Sequence, residues 1–248
     1  MILLCAIAAA AAPPQGIRVE VSEGVFVDWT RLVVSVDTVA RRQGTEGTRA
    51  VEELARRAVD AGIQLGARRI QVDHADTVSE LLDGPLADSM HARMGGWTVT
   101  ETVYFESGRV GIHAELSLQD LLKPWTVARG LTSSDRSVAT EWTGILIDAR
   151  GLDVAPAWAP RLLDSAGNVV SDGVLWDDAA VNRSPAVYVD DPAHSATTRV
   201  GAVPLLLRAR DAVGCDLVLA PEDVARFRSE LHDTRLPGDG RVVVVIDP

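Results

Sequence analysis

Two alternating runs, separated by a short polar turn, constrain the fold of this chain more than any other feature. The first run has apolar side chains at Trp97, Val99, Val103 and Phe105. The second has them at Val110, Ile112, Ala114, Leu116 and Leu118. A period of two predicts strands with one buried face, and the short segment Glu106–Gly108 between them predicts a hairpin. The chain is therefore expected to contain an antiparallel sheet.

The residues before this hairpin predict further strands and a helix. Residues 17–22 alternate between apolar and polar side chains, and Trp29–Val39 is rich in β-branched residues, so both are predicted strands. A helix over residues 50–65 is predicted from an apolar stripe at Val51, Leu54, Ala55, Ala58, Gly62 and Leu65. Thr77–Met94 indicates one or two shorter helices, interrupted at Gly84-Pro85. Residues 16–126 are thus predicted to be an α+β domain with helices on one face of an antiparallel sheet.

The rest of the chain predicts a second domain of α/β or α+β class over residues 142–248. The polar, turn-forming segment Gly130–Ser137 indicates a linker before it, assigned to residues 127–141. The predicted strands are Trp142–Ile147, Leu205–Leu207, Leu217–Leu219, Val242–Ile246 and a hairpin of Arg161–Leu163 with Val169-Val170. Pro221 followed by two acidic residues predicts the start of a helix that runs to Leu231.

Residues 1–15 have the apolar core and small-residue cleavage zone of a secretory signal peptide, without a basic start. Cleavage would remove Cys5 and leave Cys215 as the one cysteine of the mature protein, so no intramolecular disulfide is expected. Two alternatives remain: lipidation of Cys5, which the bulky Leu3-Leu4 disfavours, and a buried N-terminal element of a cytosolic protein. No later run approaches the roughly 20 apolar residues of a transmembrane helix.

Charge and motifs narrow the classes of function. A net charge of -11 repels phosphate backbones and anionic lipid heads, so nucleic-acid binding and a basic membrane surface are not expected. The sequence has no G-x-S-x-G, P-loop, dinucleotide-binding, H-E-x-x-H or C-x-x-C motif. We therefore expect a protein that is not an enzyme, has no catalytic residues and uses no metal or cofactor. A secreted hydrolase is the least favoured alternative.

Several groups of polar residues contain the residue types of a metal or catalytic site, but not at the spacing that such a site needs. His74 and Asp76 supply two metal ligands where three or four are needed, and a polar loop ending in a helix cap at Asp76 is favoured. Asp190-Asp191 with His194 and Ser195 has the members of a catalytic triad, but adjacency in sequence is not the spatial arrangement. The pairs Asp177-Asp178 and Asp190-Asp191 do not have EF-hand spacing. Trp142, Trp158 and Trp176 are interpreted as core or interface anchors.

The cluster that most resembles a ligand-binding site follows the predicted strand Trp142–Ile147. Asp148 and Arg150 stand two residues apart at its end, so they point to the same side and can grip a charged ligand. We favour a structural role, in which they pair with each other or with Arg161 and Asp164. In the alternative, the chain is a periplasmic module that binds a small ligand through Asp148, Arg150, Asp153 and Arg161.

Two sets of segments carry a family resemblance. The first set is Val27–Thr30, the helix Ala50–Leu65, Val72-Asp73 with Thr77-Val78, and the hairpin in Gly95–Leu118. Their order over residues 24–122 resembles the "lipoprotein twenty" family of envelope lipoproteins, which is similar to flagellar assembly protein P and the N-terminal part of flagellar assembly protein T. The second set resembles a C-terminal extension of the same envelope proteins: Thr143–Leu152, Ala159–Arg161, Asp164–Gly167, Arg199–Gly201, Pro204-Leu205 and Asp216–Leu219.

The resemblance implies a helix-on-sheet domain, a periplasmic or outer-membrane location, and self-association or contacts with other envelope proteins, in flagellar or outer-membrane assembly. It carries over no catalytic residue. Family members have a lipidated cysteine in a lipobox, and the surroundings of Cys5 depart from that pattern.

Overall fold

A computed structural model describes residues 16–42, 44, 47–129, 140–172, 183–231 and 239–248. It contains two sheets and five α-helices within these residues, so the predicted α+β class is confirmed. The predicted signal peptide, the segment Gly130–Ser137, Trp176 and Asp177-Asp178 lie outside the described residues.

The first sheet is antiparallel, with the strand order β1-β2-β3-β5-β4. Its strands are β1 (Arg18–Ser22), β2 (Val25–Asp28), β3 (Val33–Ala40), β4 (Thr98–Tyr104) and β5 (Val110–Ser117). The predicted hairpin is confirmed, since β4 and β5 pair antiparallel across the turn.

The predicted strand Trp29–Val39 is wrong at its start, because a turn occupies its first four residues. The Oδ1 of Asp28 accepts hydrogen bonds from the backbone N–H groups of Thr30 and Arg31, at 3.0 and 2.7 Å. Leu32 then has a φ of 58°, which an L-residue adopts in turns rather than in strands. β-Branched composition predicted the strand but not the aspartate turn that delays it.

Helix α1 (Thr48–Arg68) covers one face of this sheet, and the predicted stripe is confirmed at Val51, Ala55 and Gly62 but wrong at Leu54, Ala58 and Leu65. The buried residues are Val51, Ala55, Val59, Gly62, Ile63, Gly66 and Ala67. Leu54 and Leu65 are 39% and 41% exposed. Two glycines explain the choice of face: a Cβ at Gly66 would lie 2.6 Å from the Cγ1 of Val34, so only a bare backbone allows this close approach.

Three shorter helices complete this half: α2 (Val78–Leu81), α3 (Ala87–Met94) and α4 (Leu118–Ala128). The interruption at Gly84-Pro85 is confirmed. The expected cap at Asp76 is wrong, because Thr77 caps α2 in a capping box with Glu80. Helix α4 was not predicted; Ser117 caps it, and it continues through the first two residues of the predicted linker.

The second sheet has seven strands in the order β8-β7-β11-β10-β6-β12-β9. They are β6 (Gly144–Asp148), β7 (Leu162–Leu163), β8 (Val169–Ser171), β9 (Ala186–Val189), β10 (Pro204–Val213), β11 (Asp216–Leu219) and β12 (Val242–Val245). Strands β6, β9, β10 and β12 are parallel, and β11 returns antiparallel to β10. Helix α5 (Pro221–Leu231) has the predicted bounds, whereas β9 was not predicted.

The two sheets are joined by direct hydrogen bonds and one continuous hydrophobic core. The backbone N–H of Tyr188 donates to the carbonyl of Trp29 at 3.3 Å, and their rings meet edge to face at 5.8 Å. The backbone N–H groups of Trp158 and Ala159 donate to carbonyls that follow α1, at 3.0 and 2.8 Å. Trp158 is 1% exposed, as expected of a core anchor.

Candidate functional site

Asp148 and Arg150 lie at the carboxyl end of β6, where the buried strand meets a turn. The Nε and Nη2 of Arg150 donate to the two carboxylate oxygens of Asp148, at 2.8 and 2.7 Å. This hydrogen-bonded guanidinium holds the pKa of Asp148 below its ordinary value, and the carboxylate raises the pKa of Arg150. The two side chains are 40% and 47% exposed, so water screens the pair and it adds little to stability.

Arg161 pairs elsewhere, with a residue that the sequence analysis did not single out. Its Nη2 and Nε donate to the Oδ2 of Asp216 at 2.5 and 3.0 Å, and its backbone N–H donates to Oδ1 at 3.1 Å. The Asp216 side chain is 2% exposed, and these bonds raise the pKa of Arg161. A buried carboxylate on the first residue of β11 therefore holds the start of β7.

The four predicted ligand residues do not form one site. Asp148 lies opposite Arg208 on β10, whereas Asp216 lies opposite Val213, five residues further along. At about 3.3 Å per residue, this offset alone separates the two ion pairs by about 16 Å. Asp153 is exposed, and its side chain has no hydrogen bond or ion pair to another described residue.

A cleft of about 650 Å³ opens beside Arg150. Three arginines line it: Arg150, Arg208 and Arg210. The residues at the start of α5 that also line it are Ala220, Pro221 and Glu222. The sequence analysis missed a signal for this cleft, which is the alternation of apolar Leu207 and Ala209 with two arginines on β10. The two apolar residues are buried and the two arginines are exposed.

A larger cavity of about 830 Å³ lies between the two sheets, at the carboxyl ends of β9 and β12. Its charged residues are Arg18, Asp190 and Asp247. Asp247 accepts a hydrogen bond from the backbone N–H of Gly151 at 2.7 Å, whereas the Oδ1 of Asp190 is buried without a partner among the described residues.

The triad-like residues that follow β9 build a turn. The Oδ1 of Asp191 accepts from the backbone N–H of Ala193 at 2.7 Å, and the Nδ1 of His194 accepts from that of Ala196 at 3.0 Å. His194 therefore caps the 3₁₀ helix Ser195–Val200. In the described part of the chain, no three His, Cys, Asp or Glu side chains are placed to hold a metal ion.

Two comparisons with known proteins bear on this half of the molecule. A family model for the second domain of Treponema pallidum Tp0624 matches residues 144–248, which begin at the first residue of β6 and include both ion pairs and the cleft. The matched segment is less than half of the chain. No curated protein matches the chain.

Proposed function

We propose that this chain is a non-enzymatic protein of the cell envelope that works through protein contacts, including contacts with further copies of itself. The observation that supports this most is an apolar surface on the five-stranded sheet, beside a strand edge that pairs with no other described strand.

The apolar surface, called the outer patch here, consists of Val39, Val103 and Phe105. These side chains are 51%, 39% and 37% exposed. Val39 and Val103 both lie opposite Gly111 of β5, and the ring of Phe105 comes within 3.3 Å of the position that a Cβ at Gly111 would take. Apolar side chains gathered on an exposed sheet face are typical of protein interaction sites.

Strand β4 borders the outer patch and is the last strand of its sheet. An edge strand offers a row of backbone N–H and C=O groups that a further strand can pair with. A bulge between Val99 and Glu101 interrupts its first half, which disfavours pairing there. The regular half, Glu101–Tyr104, carries Val103, so added strand pairing and burial of the outer patch occur at the same place.

Two copies that pair antiparallel through β4 would form a continuous sheet with a two-fold axis. The outer patches of both copies would then lie side by side on the same sheet face. This arrangement gives hydrogen-bond partners to the backbone N–H and C=O groups of the β4 edge. It also removes the apolar side chains of both outer patches from water, which supports a second copy as the partner.

The envelope location belongs to the same proposal and rests on the apolar segment at residues 1–15. Expression with this segment in a Gram-negative host should give periplasmic protein that begins between Ala9 and Gln15. Full-length cytosolic protein that retains Met1 would contradict it. Among the described residues, no helix has the length and apolar character needed to cross a membrane.

Light scattering coupled to size-exclusion chromatography tests the contact surface, on protein that begins at Gly16. We expect wild-type protein to self-associate as concentration rises, and Val103→Asp to weaken this. The matched control is Val213→Asp, which places the same charge at a 62% exposed valine of the other sheet. Wild-type protein that stays monomeric, or two variants that behave alike, would contradict self-association through β4.

A further inference from the structure

The cleft at the carboxyl end of β6 has an electrostatic character opposite to that of the whole chain. Three arginines and one glutamate, Glu222, are the charged residues that line it, on a protein with a net charge of -11. Three further carboxylates act on Arg150: Asp148, which is bound to it, and Asp191 and Asp247. A local excess of cations on an acidic protein marks a place where an anion is attracted.

Arg150 is fixed in position but keeps donors for a ligand. Its Nε and Nη2 are directed to Asp148, so its Nη1 is not used in that pair. A guanidinium has five N–H donors, and a bidentate contact uses two of them. Asp148 therefore acts as a positioning residue that holds Arg150 at the cleft.

Arg208 and Arg210 come from β10, and the local backbone is built to present them. The register between β10 and β11 shifts between Ala209 and Asp211, so Arg210 occupies a bulge. Bulges redirect side chains and are frequent beside binding sites. Neither arginine side chain has a hydrogen bond or ion pair to another described residue, which leaves both guanidinium groups available.

The start of α5 is fixed against the same residues. The backbone N–H of Arg208 donates to the Oδ2 of Asp223 at 2.8 Å, and its carbonyl accepts from the N–H of Ala220 at 3.2 Å. These two bonds hold the first turn of the helix at the cleft. A helix of eleven residues carries partial positive charge at its start, which adds to the attraction of the three arginines.

We propose that this cleft binds a phosphate group, as a phosphomonoester of a small molecule or of a lipid headgroup. One arginine satisfies a planar carboxylate, whereas cations on several sides fit the three terminal oxygens of a tetrahedral phosphate. The volume of about 650 Å³ has room for the group that carries the phosphate. This site goes beyond the protein-contact function, since it lies on the other sheet.

Calorimetric titration with glycerol phosphate tests the site, on protein that begins at Gly16. We expect saturable binding by wild-type protein that weakens about tenfold or more in the double variant Arg208→Ala/Arg210→Ala. The matched control is Arg56→Ala/Arg57→Ala, which removes the same charge from exposed positions of α1. Acetate at equal ionic strength should bind far more weakly than glycerol phosphate.

Vesicles distinguish the two sources of the phosphate. Capture by phosphatidate vesicles with little affinity for glycerol phosphate would assign the site to a lipid headgroup, and the reverse would assign it to a soluble phosphomonoester. Either result must disappear in the Arg208→Ala/Arg210→Ala variant and persist in the control to support the site. No binding to either probe, or equal loss in both double variants, would overturn the proposal. Circular dichroism confirms that each variant is folded.

Discussion

Replacing Arg161 by alanine tests whether its pair with Asp216 holds the seven-stranded sheet together. The side chain of Asp216 is 2% exposed, and Arg161 supplies three of its hydrogen bonds, two from the guanidinium. The substitution leaves the backbone N–H bond and removes the only counter-charge in contact with the carboxylate among the described residues. A buried charge without its partner is strongly destabilising.

The expected loss follows from the burial of the two partners. Breaking one side of a fully buried ion pair costs about 3–5 kcal/mol. Because Arg161 is 25% exposed, water can reach the vacated space, so we expect the lower end, about 3 kcal/mol. For a chain of this size, 1 kcal/mol corresponds to roughly 2–4 °C, which predicts a melting temperature lower by about 6–12 °C.

Thermal and urea unfolding measure this loss, and Arg150→Ala is the control. That variant also removes one arginine from a bidentate pair with an aspartate, but both partners are at least 40% exposed, so the loss should be far smaller than for Arg161→Ala. The double variant Arg161→Leu/Asp216→Leu should recover much of the stability, because it removes the buried charge. Equal losses for Arg161→Ala and Arg150→Ala would refute the reasoning.

Three further predictions concern packing and reactivity. Ile63→Ala should lower the free energy of unfolding by about 2–5 kcal/mol, and Leu54→Ala by about 1 kcal/mol or less, since Ile63 is 0% and Leu54 39% exposed; a larger loss for Leu54→Ala in urea unfolding would contradict the observed helix face. Gly66→Ala should destabilise, although alanine favours helices by about 1 kcal/mol, because a Cβ there would lie 2.6 Å from a valine methyl on β3; a higher melting temperature would refute this. Burial raises the pKa of Cys215 from 9.0 to about 11, so at pH 8 its thiolate should be about a hundredfold scarcer in folded than in unfolded protein. In a Cys5→Ser chain, a thiol reagent should therefore react with folded protein about a hundredfold more slowly than with unfolded protein. Reaction of the folded protein at the unfolded rate would contradict this prediction. The thiol loses its proton at lower pH in unfolded than in folded protein, so the free energy of unfolding should decrease as pH rises from 9.0 towards 11.

Local patterns predicted the elements whose structure depends on neighbouring residues. The hairpin of β4 and β5, the helix α5 and the break at Gly84-Pro85 each follow from periodicity or from proline and glycine chemistry within a few residues. The start of β3 was not predicted, because a single aspartate oxygen binds two backbone N–H groups and keeps the chain in a turn. Strand β9 has only four residues, all buried, and was not predicted.

The predicted apolar stripe of α1 was wrong at Leu54 and Leu65, which lie at the edge of the buried face. Leu54 and Leu65 are the larger apolar residues of the stripe, but the side that packs on the sheet is the one with Gly62 and Gly66. These glycines let the helix backbone approach Val34 and Val36 closely, so Val59 and Ile63 on the same side become fully buried. Val59 and Ile63 are themselves large apolar residues at helical spacing from Val51 and Ala55, so the periodicity contained the correct face, and the prediction left these two residues out.

The positions of the charged residues depend on strand order, which the sequence does not show directly. Arg161 and Asp216 are 55 residues apart and meet because β11 pairs with β7 after returning from β10. Arg208 lies opposite Asp148 for the same reason, through a parallel register between β6 and β10. Short-range spacing therefore found the pair Asp148 and Arg150, whose members are neighbours in the chain. It placed Arg161 with the wrong partner, because nothing within a few residues of Arg161 shows which strand lies beside it.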